Sequence, residues 1–245
     1  MATKPILGKC YGSIGHLPGS KTGPGDHVMT GGQVKILTEK ARDKYDEILV
    51  QEKLDGSCVG VMNIDDQLVP LIRAGYRAAD SKRSQHHHFH DWAFNNYPLF
   101  DWLPLGWRVV GEWLLQVHSI RYDIEHRSPF VAFDIFDSDN KRICYSDFCD
   151  HCDRHRIETA PLIHRGGPCS IEKAEHELGE YGYYGALDPA EGMVWRVERK
   201  GQVDFLGKYV RKSHEPGKYL DQEMMNMSER RFFSALQLNL GGVCR

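Results

Sequence analysis

The sequence predicts an α+β fold with mainly antiparallel sheets. Strand-like and helix-like runs are mixed without the βαβ regularity that a parallel sheet requires. The 245 residues are 41% hydrophobic and 27% charged, the balance of a folded chain rather than a disordered one. There is no internal repeat and no linker-like stretch, so one domain over 1–245 is expected.

The elements follow in order. Gly12, Gly15, Gly19, Gly23 and Gly25 break up residues 8–27, which therefore read as an irregular loop. Val34, Leu37 and Ala41 recur at helical spacing and predict a helix over 31–46. A strand is expected at 47–53, ending before Asp55-Gly56. A hairpin should then join 57–63 to 67–73 across Asp65-Asp66. The polar, His-rich 84–97 reads as helix or loop. Strands are expected at 107–115, 129–136, 192–198 and 202–210, and helices near 146–158 and 170–179. Leu220, Met224, Met225, Met227 and Phe232 predict a terminal helix over 218–239, within a helical tail at 216–245.

Bulk properties limit the function classes. No apolar run is long enough to span a membrane, and the N-terminus has no signal-peptide core; a cytoplasmic, reduced protein is expected. Seven cysteines without framework spacing fit free thiols. A net charge of −3 argues against a generally basic nucleic-acid coat but leaves room for a local basic patch.

The chemistry centres on Glu52-Lys53-Leu54-Asp55-Gly56. A lysine at a strand end is a nucleophile only when its amine loses a proton, which burial or nearby cationic charge favours. Gly56 allows a sharp turn and close approach of a ligand. Downstream come Gly111-Glu112-Trp113, Phe130 to Phe136, Glu191-Gly192-Met193-Val194 and Asp204 to Arg211. Taken singly, Glu112 reads as a salt-bridged strand residue, Phe133 as core, Glu191-Gly192 as a turn and Lys208 as a solvated strand residue. Five such segments in one order are far more specific.

In that order the chain resembles the covalent nucleotidyltransferase superfamily, and within it the ATP-dependent RNA ligases, including the nick-sealing ligases of T4-like phages. The resemblance spans residues 53 to 211 and implies a nucleotidyltransferase (ATP-grasp-like) domain of two mainly antiparallel sheets with flanking helices. It implies that Lys53 is adenylated by ATP, that AMP passes to an RNA 5′-phosphate, and that a 3′-hydroxyl then displaces it. Asp55, Glu112, Glu191 and Lys208 join Lys53 as catalytic residues. Glu52, Arg73, Glu112, Phe133, Val194 and Lys208 bind the nucleotide, with Phe133 stacked on adenine and the Glu52 backbone reading it. Asp55, Glu112 and Glu191 would hold Mg²⁺ or Mn²⁺ through water. A looser similarity covers Tyr11 to Leu17, a loop that would touch ATP or the RNA end. One departure is Val210, where many relatives carry a second lysine, so Arg211 is the alternative source of that charge.

The partners implied are RNA ends, nicked or single-stranded, reached along Lys82, Arg83, Arg121 and Arg127. The length after the last motif is too short for an OB-fold, so the chain reads as a minimal ligase, as a domain for which an accessory protein or domain supplies substrate grip, or as part of a longer protein. A DNA ligase, an RNA-capping guanylyltransferase and a non-catalytic nucleotide or RNA-end binder remain alternatives. His86-His87-His88 with His90 read as a solvated face. Cys149 and Cys152, with His151, His155, Cys169 or His164, offer a weak zinc pattern.

Overall fold

The computed structural model describes residues 4–222, 224–228 and 231–232. Their chain order is β1 (Gly15–His16), α1 (Gly31–Thr38), β2 (Asp46–Lys53), β3 (Ser57–Ile64), β4 (Gln67–Ile72), α2 (Ser84–Asn95), β5 (Arg108–Trp113), β6 (Phe130–Phe136), α3 (Tyr145–Arg154), β7 (Leu162–Gly166), α4 (Ile171–Leu178), β8 (Gly192–Arg199) and β9 (Gln202–Val210). The strands form two sheets. One has five strands in the order β1-β9-β8-β2-β7, the other four in the order β4-β3-β5-β6. Every pairing is antiparallel except β1 with β9. The α+β architecture with antiparallel-dominated sheets is the one expected. No helix is long and apolar enough to cross a membrane among the described residues.

The four-stranded sheet is built from consecutive chain. Its hairpin turns at Asp65 and Asp66, both with positive φ (51° and 59°), the left-handed pair that matches the twist of the flanking strands. Against it pack α2 and α3, which bury Phe89, Trp92, Phe148 and Cys152 with Trp113, Phe130 and Ile135. The five-stranded sheet packs α1 and α4 over Ile48, Val50, Met193 and Trp195. Lys53 to Gly56 is the crossover from one sheet to the other.

Several boundaries differ from expectation. The helix predicted to 46 ends at Thr38. Beyond it Asp46 accepts the Arg42 N–H and side chain, and Asp43 accepts the Tyr45 N–H; such local side-chain bonds compete with helix. The loop at 8–27 contains β1, held by pairing with β9 rather than by propensity. Strand β7 was not foreseen. The terminal helix expected over 218–239 falls partly outside the described residues. Within 218–228 the chain makes a short 3₁₀ turn, Leu220–Gln222, and Met225 bridges to Gln116 instead of continuing a helix.

Candidate active site

Two strand registers assemble the site. In the five-stranded sheet Lys53 pairs with Gly192, so Glu191 arrives beside the lysine, and Val194 pairs with Lys208. The Lys53 Nζ lies 2.6 Å from Glu191 Oε2. In the other sheet Cys58 pairs with Glu112, and Glu112 Oε1 accepts the Gly56 N–H at 3.1 Å. Gly56 passes so close to β5 that a Cβ there would sit 2.4 Å from the Trp113 carbonyl oxygen. Asp55 is fixed from both sides: Ser119 N–H donates to Oδ2 at 2.6 Å, and its own N–H donates to the Tyr122 hydroxyl at 3.0 Å.

A cavity of about 260 Å³ lies between the sheets. Lys53, Val194 and Lys208 line it from the five-stranded sheet; Arg73, Glu112 and Phe133 line it from the four-stranded sheet. Tyr11, Gly12 and Ile14 of the N-terminal loop line it as well, and the Tyr11 ring meets Phe133 edge-on at 5.0 Å. Its walls thus combine an aromatic ring, an aliphatic side chain, cations and carboxylates, the donor set for a base and its phosphates.

Electrostatics at the lysine are a contest. Burial pushes the Lys53 amine toward neutrality, but Glu191, Glu112 and Asp55 outweigh it and hold the group charged above its ordinary range. Burial raises the Glu112 carboxyl to about 8, although Lys53 draws it down, and raises Glu191 in the same sense. Burial and the neighbouring Lys53 charge lower Lys208. The carboxyl groups gathered beside one ammonium supply the oxygen donors that a divalent cation favours. Among the described residues, the tightest set of candidate metal donors is Asp55, Glu191 and His214, with donor atoms within 4.8 Å of one another; Glu112 is not in it.

Other side chains stand differently from expectation. The Glu52 N–H donates to the Pro161 carbonyl at 2.9 Å, so an adenine reading that group must displace it. Arg211 is turned from the cavity: its guanidinium donates to the carbonyls of Gly179 (2.6 Å), Glu180 (3.0 Å) and Ala190 (3.4 Å). Arg73 reaches Gly12 O and Ser13 Oγ at 3.5 Å, at the loop that borders the cavity. Arg121 is paired with Asp188 at 2.8 Å, and Arg127 lies 5.0 Å from the Tyr184 ring centre, so neither charge stands alone. His86 and His87 bond Ser81 in the turn before α2, and Cys152 is buried in the core.

The sequence also hid a buried ion network beneath the cavity. Asp134 of β6 accepts from the Tyr11 hydroxyl (2.8 Å), from Arg142 Nε (2.9 Å) and from Arg196 of β8, which also reaches Glu198 at 3.3 Å. Arg196 further donates to the Phe133 carbonyl at 3.3 Å. This ties β8 of one sheet to β6 of the other at the Phe133 backbone. The signal available was a lone Arg196 inside an apolar strand, a position that requires a buried partner.

Comparison with known proteins places these features. A family model described as RNA ligase matches residues 46–210. The solved structure of Naegleria gruberi RNA ligase with PPi aligns with a TM-score of 0.56 at 16% identity, covering 90% of this chain and 61% of that one. A mutant of the same ligase with AMP and Mn aligns at 0.54 and 16%, covering 90% and 61%. Another mutant, with ATP and Mn, aligns at 0.54 and 15%, covering 90% and 62%. At these identities the likeness is one of fold, and the chain spans about 61% of the length of the first of these ligases. No curated protein matches the sequence.

Proposed function

Because the chain belongs to the RNA ligase family, we propose that it is an ATP-dependent RNA ligase working through a lysyl-AMP intermediate on Lys53. The observation that carries this reading is the placement of Lys53: at the junction of two sheets, 2.6 Å from Glu191, in a cavity shared with Phe133, Val194 and Lys208. The Lys53 Nζ attacks the α-phosphorus of ATP, the N–P bond forms, and pyrophosphate leaves. An RNA 5′-phosphate oxygen then takes AMP from the lysine, and a 3′-hydroxyl displaces AMP to form the phosphodiester. Splitting one hard joining into successive displacements is the gain from a covalent intermediate.

The chain's own groups have separate parts in this reading. Phe133 and Val194 hold the base from opposite sheets, and Arg73 reaches the ribose side. Lys208, on the strand paired with Val194, stays on the α-phosphate. Glu191, 2.6 Å from the Lys53 amine, orients it toward the α-phosphorus. Asp55, Glu112 and Glu191 would hold Mg²⁺ or Mn²⁺, whose charge would neutralise the phosphate and lower the lysine's affinity for its proton.

Intact mass after incubation with Mg²⁺ and either ATP or GTP, with Lys53→Ala in parallel, tests the reading. One added AMP from ATP alone, absent from the variant, is the expected result. A GMP adduct would make the protein a capping-type guanylyltransferase. No adduct from folded, unmodified protein would leave only a nucleotide or RNA-end binder. Sealing of nicked duplexes with RNA or DNA at the 3′-hydroxyl side then separates the two ligase classes.

A further inference from the structure

We propose that His214 is a direct metal ligand, joining Asp55 and Glu191 in a site that takes Mn²⁺ or a similar first-row divalent ion in preference to Mg²⁺. The inference deepens the ligase reading, in which those two carboxylates hold a cation through water.

One atom from each of the three residues lies within 4.8 Å of the others, close enough to surround a single ion. His214 is only 8% exposed, and among the described residues neither of its ring nitrogens has a hydrogen-bond partner. An imidazole held at that depth beside two carboxylates offers a nitrogen donor to a cation that they share. The backbone holds it there. The Arg211 N–H donates to the Glu191 carbonyl at 2.8 Å, and the His214 N–H donates to the Arg211 carbonyl at 3.1 Å. Lys21 Nζ donates to the His214 carbonyl from the N-terminal loop. The turn that carries His214 is therefore bonded to the backbone of Glu191, and Ser119 braces Asp55. A second cavity, of about 180 Å³ and lined by Ser119, His214 and Lys218, borders the imidazole on a side apart from the nucleotide cavity, whose lining does not include His214.

The donor set decides the metal class. Mg²⁺ favours oxygen ligands and keeps several waters, whereas an imidazole nitrogen with carboxylates suits Mn²⁺ and later first-row ions. An all-carboxylate site working through water would show no such preference.

The test uses the full chain with Mn²⁺ and no nucleotide. Pulsed EPR should show ¹⁴N coupling from a directly bound imidazole, and Mg²⁺ should compete poorly in a Mn²⁺ titration. In His214→Gln the coupling should vanish and Mn²⁺ affinity fall by about tenfold or more, the loss that removing even an outer partner of a metal ligand produces. Asp55→Asn keeps the imidazole and should also lose the ion; thermal melting of each metal-free variant checks folding. Absence of ¹⁴N coupling in the wild type overturns the proposal, as does coupling that persists in His214→Gln. The AMP adduct is scored separately. Adduct without nitrogen coupling removes this inference alone, and coupling without adduct removes the ligase reading alone.

Discussion

Glu52→Gln should make the protein more stable at alkaline pH and change little at acid pH. Glu52 precedes the nucleophile but sends its side chain elsewhere: 3% exposed, its carboxyl accepts the Tyr183 N–H at 2.8 Å and lies against Gly182. Gly182 has φ of +67°, and a Cβ there would sit 2.2 Å from the Glu52 oxygen, so the turn is shaped around the carboxyl. Burial raises this group from 4.5 to about 7 despite those N–H donors. Between these values the folded state keeps a proton that the unfolded state has lost. Stability therefore falls as pH rises, by 1.36 kcal/mol per pH unit, for a total of roughly 3 kcal/mol. A glutamine keeps an acceptor oxygen and does not titrate. Urea unfolding of both proteins from pH 4.5 to 8 measures the effect, because the difference between them cancels the other titrating groups. The stability gap should widen in favour of the variant by roughly 3 kcal/mol across that range, as the linkage requires. A gap that is flat with pH would refute the buried, proton-holding state of Glu52.

Other perturbations address the cavity and its approach. Phe133→Ala should weaken ATP binding by about 1–3 kcal/mol, some 5- to 150-fold in the ATP concentration for half-maximal adenylation, while the protein stays folded. Gly56→Ala forces a Cβ to within 2.4 Å of a backbone oxygen, which cannot give way as a flexible side chain would. It should cost about 1–3 kcal/mol, lower the melting temperature by roughly 2–10 °C and suppress the Lys53 adduct. Charge reversal at Lys82 and Arg83 together should weaken nick sealing and flatten its salt dependence while sparing the adduct; equal loss of both would place these residues in folding instead. Reversal at Arg121 should also lower stability, because Asp188 would be left beside a like charge.

The segments that line the site were legible because each is local: a strand or strand end with its flanking turn. Lys53, Glu112 and Lys208 could be placed on strands and Glu191 in the turn before one, and the family resemblance ordered them. What brings them together, the pairing of Lys53 with Gly192 and of Cys58 with Glu112, is a long-range register that no local pattern encodes. His214 was missed for a related reason. It lies three residues past the last recognised segment, and only the turn bonded back to the Glu191 carbonyl turns it inward. Strand β1 was missed because its two residues sit among glycines, and the pairing with β9 supplies what propensity does not. The part played by Arg211 stayed open in the sequence, which cannot show that three carbonyls already claim its guanidinium.

The two sheets differ in how soon they can exist. The four-stranded sheet draws on one continuous stretch, residues 57–136, and can close as soon as that stretch leaves the ribosome. The five-stranded sheet cannot. Lys53 ends a strand whose partners begin at Leu162 and Gly192, and the outer pair needs Gly207 and Lys208 as well. Contacts of such large sequence separation form late and slowly. For most of its synthesis the chain therefore carries Lys53 with no cavity around it, and the cavity closes only when nearly the last described strand has been made.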